Sequence, residues 1–222
     1  MTYATTSIRV WDLPTRLFHW LLVVLFGLSW WSAENGAMDW HRLSGSILLG
    51  LIAFRLIWGF AGGSTARFCS FLRSPMNVIA YLRAPASNER RPGHNPIGGY
   101  SVAIMLLLLL AQVGTGLFAV DVDGIESGQL SHLVSFDQGR VAAELHEVSF
   151  TLLQVVLGIH ILAVLFYLAV RKRNLIRPMV TGADNQISDA RGALSPASPM
   201  RFGIALLLSA ALAWWTAKGF PI

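Results

Sequence analysis

The stretch that decides the fold is "ELHEVSFTLLQVVLGIHILAVLFY", residues 144–167, an apolar run that carries two histidines. In an α-helix that rises about 1.5 Å per residue, the fourteen residues from His146 to His160 cover about 21 Å along the axis. At 3.6 residues per turn, the same spacing falls only about 40° short of four full turns. The two imidazoles are therefore expected on nearly the same face of one helix, at opposite depths of a bilayer.

The composition of the whole chain favours a membrane protein. Of its 222 residues, 54% are hydrophobic and only 13% are charged, which is unlike a soluble domain. A membrane-spanning helix needs about 20 mostly apolar residues. Five runs approach this length, at residues 17–33, 43–60, 98–120, 146–170 and 201–217. We predict an all-α integral membrane protein in which a four-helix bundle is followed by a fifth, C-terminal transmembrane helix.

The distribution of Lys and Arg predicts the orientation, because cytoplasmic loops of membrane proteins are enriched in these residues. The basic residues lie before the first run, between the second and third, and after the fourth: Arg9, Arg16, Arg67, Arg73, Arg83, Arg90, Arg91, Arg171, Lys172, Arg173, Arg177 and Arg191. The other two loops are mostly acidic, with Glu34, Asp39, Asp121, Asp123, Glu126, Asp137 and Glu144 against Arg42 and Arg140. We therefore expect a cytoplasmic N-terminus and a C-terminus on the outer side. The net charge of +5 reflects this bias, and no basic–aromatic pattern indicates nucleic-acid binding.

Four histidines sort into two pairs by depth. His19 lies fifteen residues before Glu34, which places it about 22 Å below the outer end of the first span. This depth agrees with that of His160, whereas His41 opens the second span at the outer face, level with His146. Each pair, His19 with His160 and His41 with His146, would come from two different helices.

This arrangement indicates bis-histidine haem. The iron of a b-type haem takes an axial imidazole on each side of the porphyrin, and ionisable side chains within a span are costly and usually functional. We predict two haem b groups, which would give an electron a path across the bilayer. Small residues that would let a porphyrin edge approach the backbone, or simply serve helix packing, are Gly27, Gly45, Gly50, Gly114, Gly116 and Gly158.

Two arginines are candidates for binding the haem propionates. Arg55 follows His41 by fourteen residues, so it shares that helix face at the depth of the inner haem. An arginine there needs an anion, and a guanidinium matches a carboxylate. Arg16, one turn before His19, is the second candidate. Arg55 is also near enough to the helix end to extend towards the cytoplasmic headgroups instead.

The chain resembles the prokaryotic cytochrome b561 and Ni,Fe-hydrogenase b-type cytochrome family over residues 8–172. The segments that carry the resemblance are "RVWDLPTRLFHW", "HRLSGSILLGLIAFRLIWGFAG", "ARFCSFLRSP", "YLR" with "GHNPIGG", and "ELHEVSFTLLQVVLGIHI". It implies a four-helix cytochrome of the bacterial inner membrane that passes electrons between quinone and an outer partner, with His19, His41, His146 and His160 as ligands. On this basis residues 1–172 are a di-haem cytochrome b domain, 173–200 a cytoplasmic linker and 201–222 an additional transmembrane helix outside that domain.

The resemblance also suggests a quinone site near the inner haem, at "GHNPIGG". Asn95 and His94 would hydrogen-bond a carbonyl of ubiquinone or menaquinone, and His94 would carry its proton. Alternatively, Asn95 and the proline after it are simply a common helix start. The acidic outer loop, residues 121–144, would dock a basic partner such as a periplasmic c-type cytochrome or a hydrogenase small subunit. A solvated loop remains the alternative there, and His132 in this loop is taken as a surface residue.

Three other classes of membrane protein fit the histidines less well. A di-metal desaturase or hydroxylase clusters its histidines at one membrane face, and the chain has neither HxxxH nor HxxHH. An ion or proton transporter commonly shows broken helices and internal repeats, which the sequence lacks. A histidine-bearing membrane anchor without haem is the third possibility. All three would give a colourless protein.

Overall fold

A computed structural model describes residues 7–83, 92–187 and 193–219. Its elements, in chain order, are β1 (Ile8–Arg9), α1 (Leu13–Glu34), α2 (Met38–Ala61), α3 (Phe68–Phe71), α4 (Pro75–Arg83), α5 (Pro96–Phe118), a 3-10 turn at Ser131–Leu133, α6 (Phe136–Ala169), α7 (Ile176–Thr181), β2 (Ala183–Asp184) and α8 (Pro199–Ala217). Among the described residues, five helices are long and apolar enough to cross a membrane: α1, α2, α5, α6 and α8. The prediction of an all-α, multi-pass membrane protein with five spans is confirmed. Arg90, Arg91 and Arg191, which contribute to the orientation prediction, lie outside the described residues.

The long helices expose apolar side chains of the kind that contact lipid. On α6, the side chains of Val155, Ile159 and Leu162 are 56%, 61% and 66% exposed. Residues spaced by three or four positions share a helix face, so these three form one continuous apolar stripe. Such a stripe would be a liability in water, whereas in a bilayer it faces the acyl chains.

The chain divides into two compact units. The first contains Met1–Leu17, Ile57–Ala103 and Gly158–Phe202, and the second contains Phe18–Leu56, Ile104–Leu157 and Gly203–Ile222. Each of the first four long helices contributes to both units.

The core of the second unit is a cluster of aliphatic side chains from α2, α5 and α6: Leu48, Ile52, Leu109, Val113 and Leu153. Helix α1 is attached through aromatic contacts, since Phe150 of α6 packs against Phe26 and Trp30 with ring centroids 6.1 and 5.6 Å away. Lipid is as apolar as these side chains, so close packing rather than exclusion of water holds them together.

The first unit is organised around the segment that precedes α1. Strand β1 pairs antiparallel with β2, and α7 ends at Gly182 in the left-handed conformation, which glycine adopts readily. The carbonyl of Gly182 accepts hydrogen bonds from the amides of Val10 and Trp11 at 2.9 and 3.1 Å. These bonds fix the chain immediately before it enters α1.

A buried carboxylate, Asp12, joins three parts of the first unit. Its Oδ1 accepts from the Thr15 amide at 2.9 Å and so caps α1. Its Oδ2 accepts from the indole N–H of Trp58 at 3.0 Å and from the Gly63 amide at 3.3 Å. One side chain therefore connects the start of α1, the end of α2 and the loop that follows.

Helix α6 begins ten residues before the predicted start of the fourth span, at Phe136 instead of His146. Ser135 and Gln138 form a capping box in which each side chain accepts a hydrogen bond from the other's amide, at 3.3 and 3.0 Å. The first turns carry charged residues, so an apolar run does not include them. The helix extends about 15 Å beyond the predicted span, and His146 lies inside it.

The described part of residues 173–200, the predicted linker, has secondary structure. It contains α7 and β2, and it packs on the loop after α2. The Ser64 amide donates to the Ser195 carbonyl at 2.9 Å, and the Ser195 amide donates to Ser64 Oγ at 2.8 Å. Its polar, Gly- and Ser-containing composition predicts a loop, but these reciprocal bonds hold the loop in one place.

Replacing Asp12 with Ala should destabilise the protein substantially. The change removes a helix cap, worth about 1 kcal/mol, and leaves buried N–H donors without an acceptor, at about 1–3 kcal/mol each. We expect a loss of about 3 kcal/mol or more in the free energy of unfolding, measured by thermal unfolding in detergent. Asp123→Ala, at an exposed position, is the control and should not move the melting temperature. Equal shifts for the two variants would contradict the role assigned to Asp12.

Candidate functional site

His41 of α2 and His146 of α6 face each other in the second unit. Their ring centroids are 6.0 Å apart and their planes are inclined at 87°. Both side chains are partly buried. The structure thus brings together the two histidines that the sequence places at the outer level.

Each of these rings is held by a backbone carbonyl of a further helix. His41 Nδ1 lies 2.9 Å from the Ser29 carbonyl oxygen of α1, and His146 Nδ1 lies 2.8 Å from the Gln112 carbonyl oxygen of α5. A carbonyl oxygen only accepts, so these contacts place the proton on Nδ1 in both rings. Nε2 is consequently the nitrogen of each imidazole that carries a lone pair and could bind a metal.

A small polar cluster on α5 and α6 surrounds His146. Gln112 Nε2 lies 3.0 Å from His146 Nε2, Ser149 Oγ donates to Gln112 Oε1, and Thr115 Oγ1 is 3.5 Å from His146 Nδ1. Our sequence reasoning missed these residues. Gln112 carried a usable signal, because it is the sole amide side chain in α5 and polar groups within spans tend to be functional.

Gly116 leaves the space that His146 occupies. A Cβ at Gly116 would lie 2.7 Å from His146 Cε1 and 2.9 Å from its Nδ1. Gly50 approaches Ser209 and Ala213 of α8 in a similar way. At the other glycines considered in the sequence, Gly27, Gly45, Gly114 and Gly158, a Cβ would meet nothing within 4 Å. Of these glycines, only Gly116 leaves space that a candidate ligand, the His146 ring, occupies.

The inner histidines lie in different units, His19 in the second and His160 in the first. Both side chains are partly buried, and the His19 ring meets the edge of Trp20 at a centroid distance of 4.9 Å. His160 shares helix α6 with His146, so the axial separation of about 21 Å applies without a break in the helix.

The two candidate arginines differ in burial. Arg55 is only 3% exposed, which does not fit the alternative in which its guanidinium reaches the headgroups. Arg16 is partly buried, and its Nη1 donates to the Val180 carbonyl at 2.5 Å. Arg16 therefore already contacts the end of α7, while Arg55 is enclosed within the protein.

His94 and Asn95 lie in a cluster of aromatic side chains in the first unit. The His94 ring packs against Trp11 and Phe71, with centroid distances of 4.7 and 4.9 Å. Asn95 Oδ1 accepts from the Gly98 amide at 2.6 Å, so the helix-capping role is present. The other end of the same amide, Nδ2, donates to the Tyr167 hydroxyl at 3.0 Å and to the Tyr81 hydroxyl at 3.4 Å.

The Tyr81 hydroxyl stays protonated at neutral pH. Burial raises the pKa of Tyr81, and the neighbouring Tyr167 raises that pKa further. A phenol whose pKa lies above its usual value of about 10 keeps its proton at pH 7. The cluster thus offers hydroxyl groups, next to the partly buried His94, that can donate hydrogen bonds to a ligand.

The acidic outer loop is anchored on α2. Glu126 forms an ion pair with Arg42 at 2.6 Å, and the Gln129 amide donates to the Arg42 carbonyl at 2.7 Å. Asp123 and Glu144 remain exposed, as do Asp137 and His132. The loop therefore presents several carboxylates from a fixed backbone.

Across residues 7–83, 92–187 and 193–219, no three His, Cys, Asp or Glu side chains come together in a group that could hold a metal ion. The histidines that the structure brings together, His41 and His146, form a pair instead.

The comparisons with known proteins agree with the resemblance seen in the sequence. The family model described as "Prokaryotic cytochrome b561" matches residues 10–182. No curated protein and no solved structure matches the chain. The matched region runs from just before α1 to the end of α7, so it contains all four candidate histidine ligands and ends before α8.

Proposed function

The chain belongs to the prokaryotic cytochrome b561 family, and from this membership we propose that it carries electrons across the membrane through two b haems held at different depths. As a member of this family, the chain is a membrane-bound b-type cytochrome that functions in electron transfer. The number of haems, their ligands and the electron donor and acceptor are our proposal. The facing rings of His41 and His146 are the observation that carries it.

The donor set of the outer site fits a haem iron. Imidazole nitrogens bound at about 2 Å on opposite sides of one metal bring the ring centroids to about 6 Å, which matches the observed 6.0 Å. Both rings have Nδ1 engaged by a carbonyl, so Nε2 would be the atom that ligates the iron. Gln112 donates to the same lone pair of His146, and ligation would exchange that partner for the iron.

His19 and His160 are proposed as the axial ligands of the inner haem. Arg55 is the proposed propionate partner, because its guanidinium is buried within the protein and its planar, charged shape suits a carboxylate. Arg16 is a second candidate, which would have to share its guanidinium between a propionate and the Val180 carbonyl. Haem supplies a one-electron carrier; the protein supplies neutral ligands, a fixed spacing and an apolar surround.

We place the protein in the bacterial inner membrane with a cytoplasmic N-terminus. The proposal rests on the basic residues before α1, between α2 and α5, and after α6. With five spans, the C-terminus then lies in the periplasm. The outer haem would face the periplasm and the inner haem the cytoplasm.

A quinone site is proposed at His94 and Asn95. The Asn95 amide and the two tyrosine hydroxyls would donate to a carbonyl of ubiquinone or menaquinone, and the His94 imidazole would take or give the proton that accompanies each electron. Trp11 and Phe71, on either side of His94, hold that ring in position. This cluster is on the side of the membrane where α5 begins, which is the cytoplasmic side in the proposed orientation.

The partner at the outer face is proposed to be basic there. Asp123, Asp137 and Glu144 are exposed, and like-charged groups of this kind steer the approach of an oppositely charged protein. A periplasmic c-type cytochrome or a hydrogenase small subunit would suit this surface.

Single histidine substitutions should separate the two haems. His41→Ala and His146→Ala should each remove the outer haem, and His19→Ala and His160→Ala the inner one, because a bis-histidine haem needs both axial ligands. Pyridine haemochrome assays per chain, with redox titration, measure which haem remains. His132→Ala, an exposed histidine, is the control and should retain the full complement.

Two results would contradict this assignment. A wild-type haem content near zero would favour a histidine-bearing anchor or transporter without haem. Loss of one common haem in His19→Ala and His41→Ala would mean that the ligands pair differently.

The packing of the His146 ring against Gly116 can be tested with substitutions at two glycines of α5. Gly116→Ala places a methyl group 2.7 Å from His146 Cε1, so the imidazole must move and the outer haem should be lost or change its midpoint potential. Gly114→Ala is the matched control, because its Cβ would meet nothing within 4 Å. Haem content, redox titration and low-temperature EPR of the low-spin signals measure the effect. Equal behaviour of both variants would contradict the proposed packing.

The quinone role of Asn95 can be separated from its capping role. Asn95→Ser retains a good helix cap but loses the amide donor, whereas Asn95→Ala loses both. We expect both variants to slow haem reduction by quinol about tenfold, measured by stopped-flow absorbance, and only the alanine variant to lower the melting temperature. A serine variant that is reduced at the wild-type rate would leave Asn95 as a cap alone.

A further inference from the structure

The first unit contains a cavity that the electron-transfer proposal does not use. It has a volume of about 510 Å³ and is lined by the first turns of α1 and the segment before it, by the segment that leads into α8, and by Trp58 of α2. The segment before α1 forms one wall. The turn at 181–183, Leu194, Pro196–Pro199 and Phe202 of α8 form the other. The family match ends at residue 182, so most of the second wall belongs to the part of the chain beyond it.

Two arginines give this cavity a positive charge. Arg9 and Arg16 both line it, and within the described residues neither forms an ion pair with a carboxylate. Arg16 Nε is buried and makes no hydrogen bond there. Asp12 also lines the cavity, but its carboxylate oxygens already accept from three N–H donors. Two guanidinium groups thus remain for an anion.

The rest of the lining is largely apolar. Leu13, Leu17 and Phe202 contribute side chains, and the first two are 56% and 48% exposed. Both α1 and α8 begin at this cavity, so it lies at the membrane boundary, where lipid phosphates meet acyl chains. A ligand that fits has an anionic head and an apolar tail.

We propose that this cavity binds an anionic phospholipid of the leaflet on the N-terminal side. Its phosphate would lie between Arg9 and Arg16, and one acyl chain would run along Leu13, Leu17 and Phe202. Two positive charges favour a headgroup with net negative charge, such as phosphatidylglycerol, over a zwitterionic one. Helix α8 then provides one wall of a lipid site in addition to its span.

Native mass spectrometry of the holoprotein, released from nanodiscs of mixed phosphatidylglycerol and phosphatidylcholine, tests the proposal. We expect selective retention of phosphatidylglycerol, and about fivefold less retention in Arg9→Gln, since one basic residue near a membrane surface contributes roughly that factor. Arg16→Gln and Phe202→Ala should also reduce it. Arg201→Gln is the matched control, because Arg201 is exposed at the start of α8 and does not line the cavity.

The haem spectrum separates this proposal from the previous one. Arg9→Gln should keep the wild-type spectrum while it loses lipid, even if Arg16→Gln also disturbs a haem. Retention that is equal in Arg9→Gln and Arg201→Gln, or equal for the two lipids, would overturn the proposal. Displacement of the lipid by inorganic phosphate would also overturn it, because the site would then belong to a free anion.

Discussion

The site formed by His41 and His146 depends on one constraint: each ring is oriented by the backbone of a helix that contributes no ligand to this site. Helices α2 and α6 supply His41 and His146, while the carbonyls of Ser29 in α1 and Gln112 in α5 hold the Nδ1 atoms. A backbone carbonyl is a positional reference that side-chain rotation cannot move. The packing of Leu109 and Val113 of α5 with Leu153 of α6 therefore affects the orientation of the His146 ring as well as the stability of the bundle. Without the carbonyl of α1 the His41 ring would lose its Nδ1 hydrogen bond, and without that of α5 the His146 ring would lose its own.

The spans and the depths of the histidines could be predicted from the sequence, because the bilayer restricts the length, composition and conformation of a spanning segment. Apolar runs of the right length predict the five helices, and every backbone group in a span must bond internally. The depth of a histidine follows from its residue number, since an unbroken helix rises uniformly. For that reason the facing of His41 and His146 could be predicted from counting alone.

What could not be predicted depends on contacts between side chains and backbone. The early start of α6 is set by the exchange of hydrogen bonds between Ser135 and Gln138, in a polar region that hydropathy assigns to a loop. The order in residues 173–187 depends on a two-residue strand, β2, too short for any periodicity. Residue spacing does not predict that Gln112 contacts His146, because the contacts are made by its backbone carbonyl and its side chain across two helices. Polar residues at helix ends and within spans are thus where sequence reasoning is weakest.

Helix α8 shows the same limit in another form. The family match ends before it, and its apolar sequence, with no charged residue after Arg201, predicts a helix outside the haem-binding bundle. In the second unit, however, Gly50 lies so close to α8 that a Cβ would be 2.8 Å from Ala213 Cβ and 2.9 Å from the Ser209 carbonyl oxygen. Ala205 and Thr216 of α8 are completely buried.

Small residues allow close helix contact in membranes, and Gly50 lies on α2 between His41 and Arg55. The fifth helix therefore supports, at mid-span, the helix that carries one candidate ligand and the candidate propionate partner. It is part of the packing that holds His41 in place.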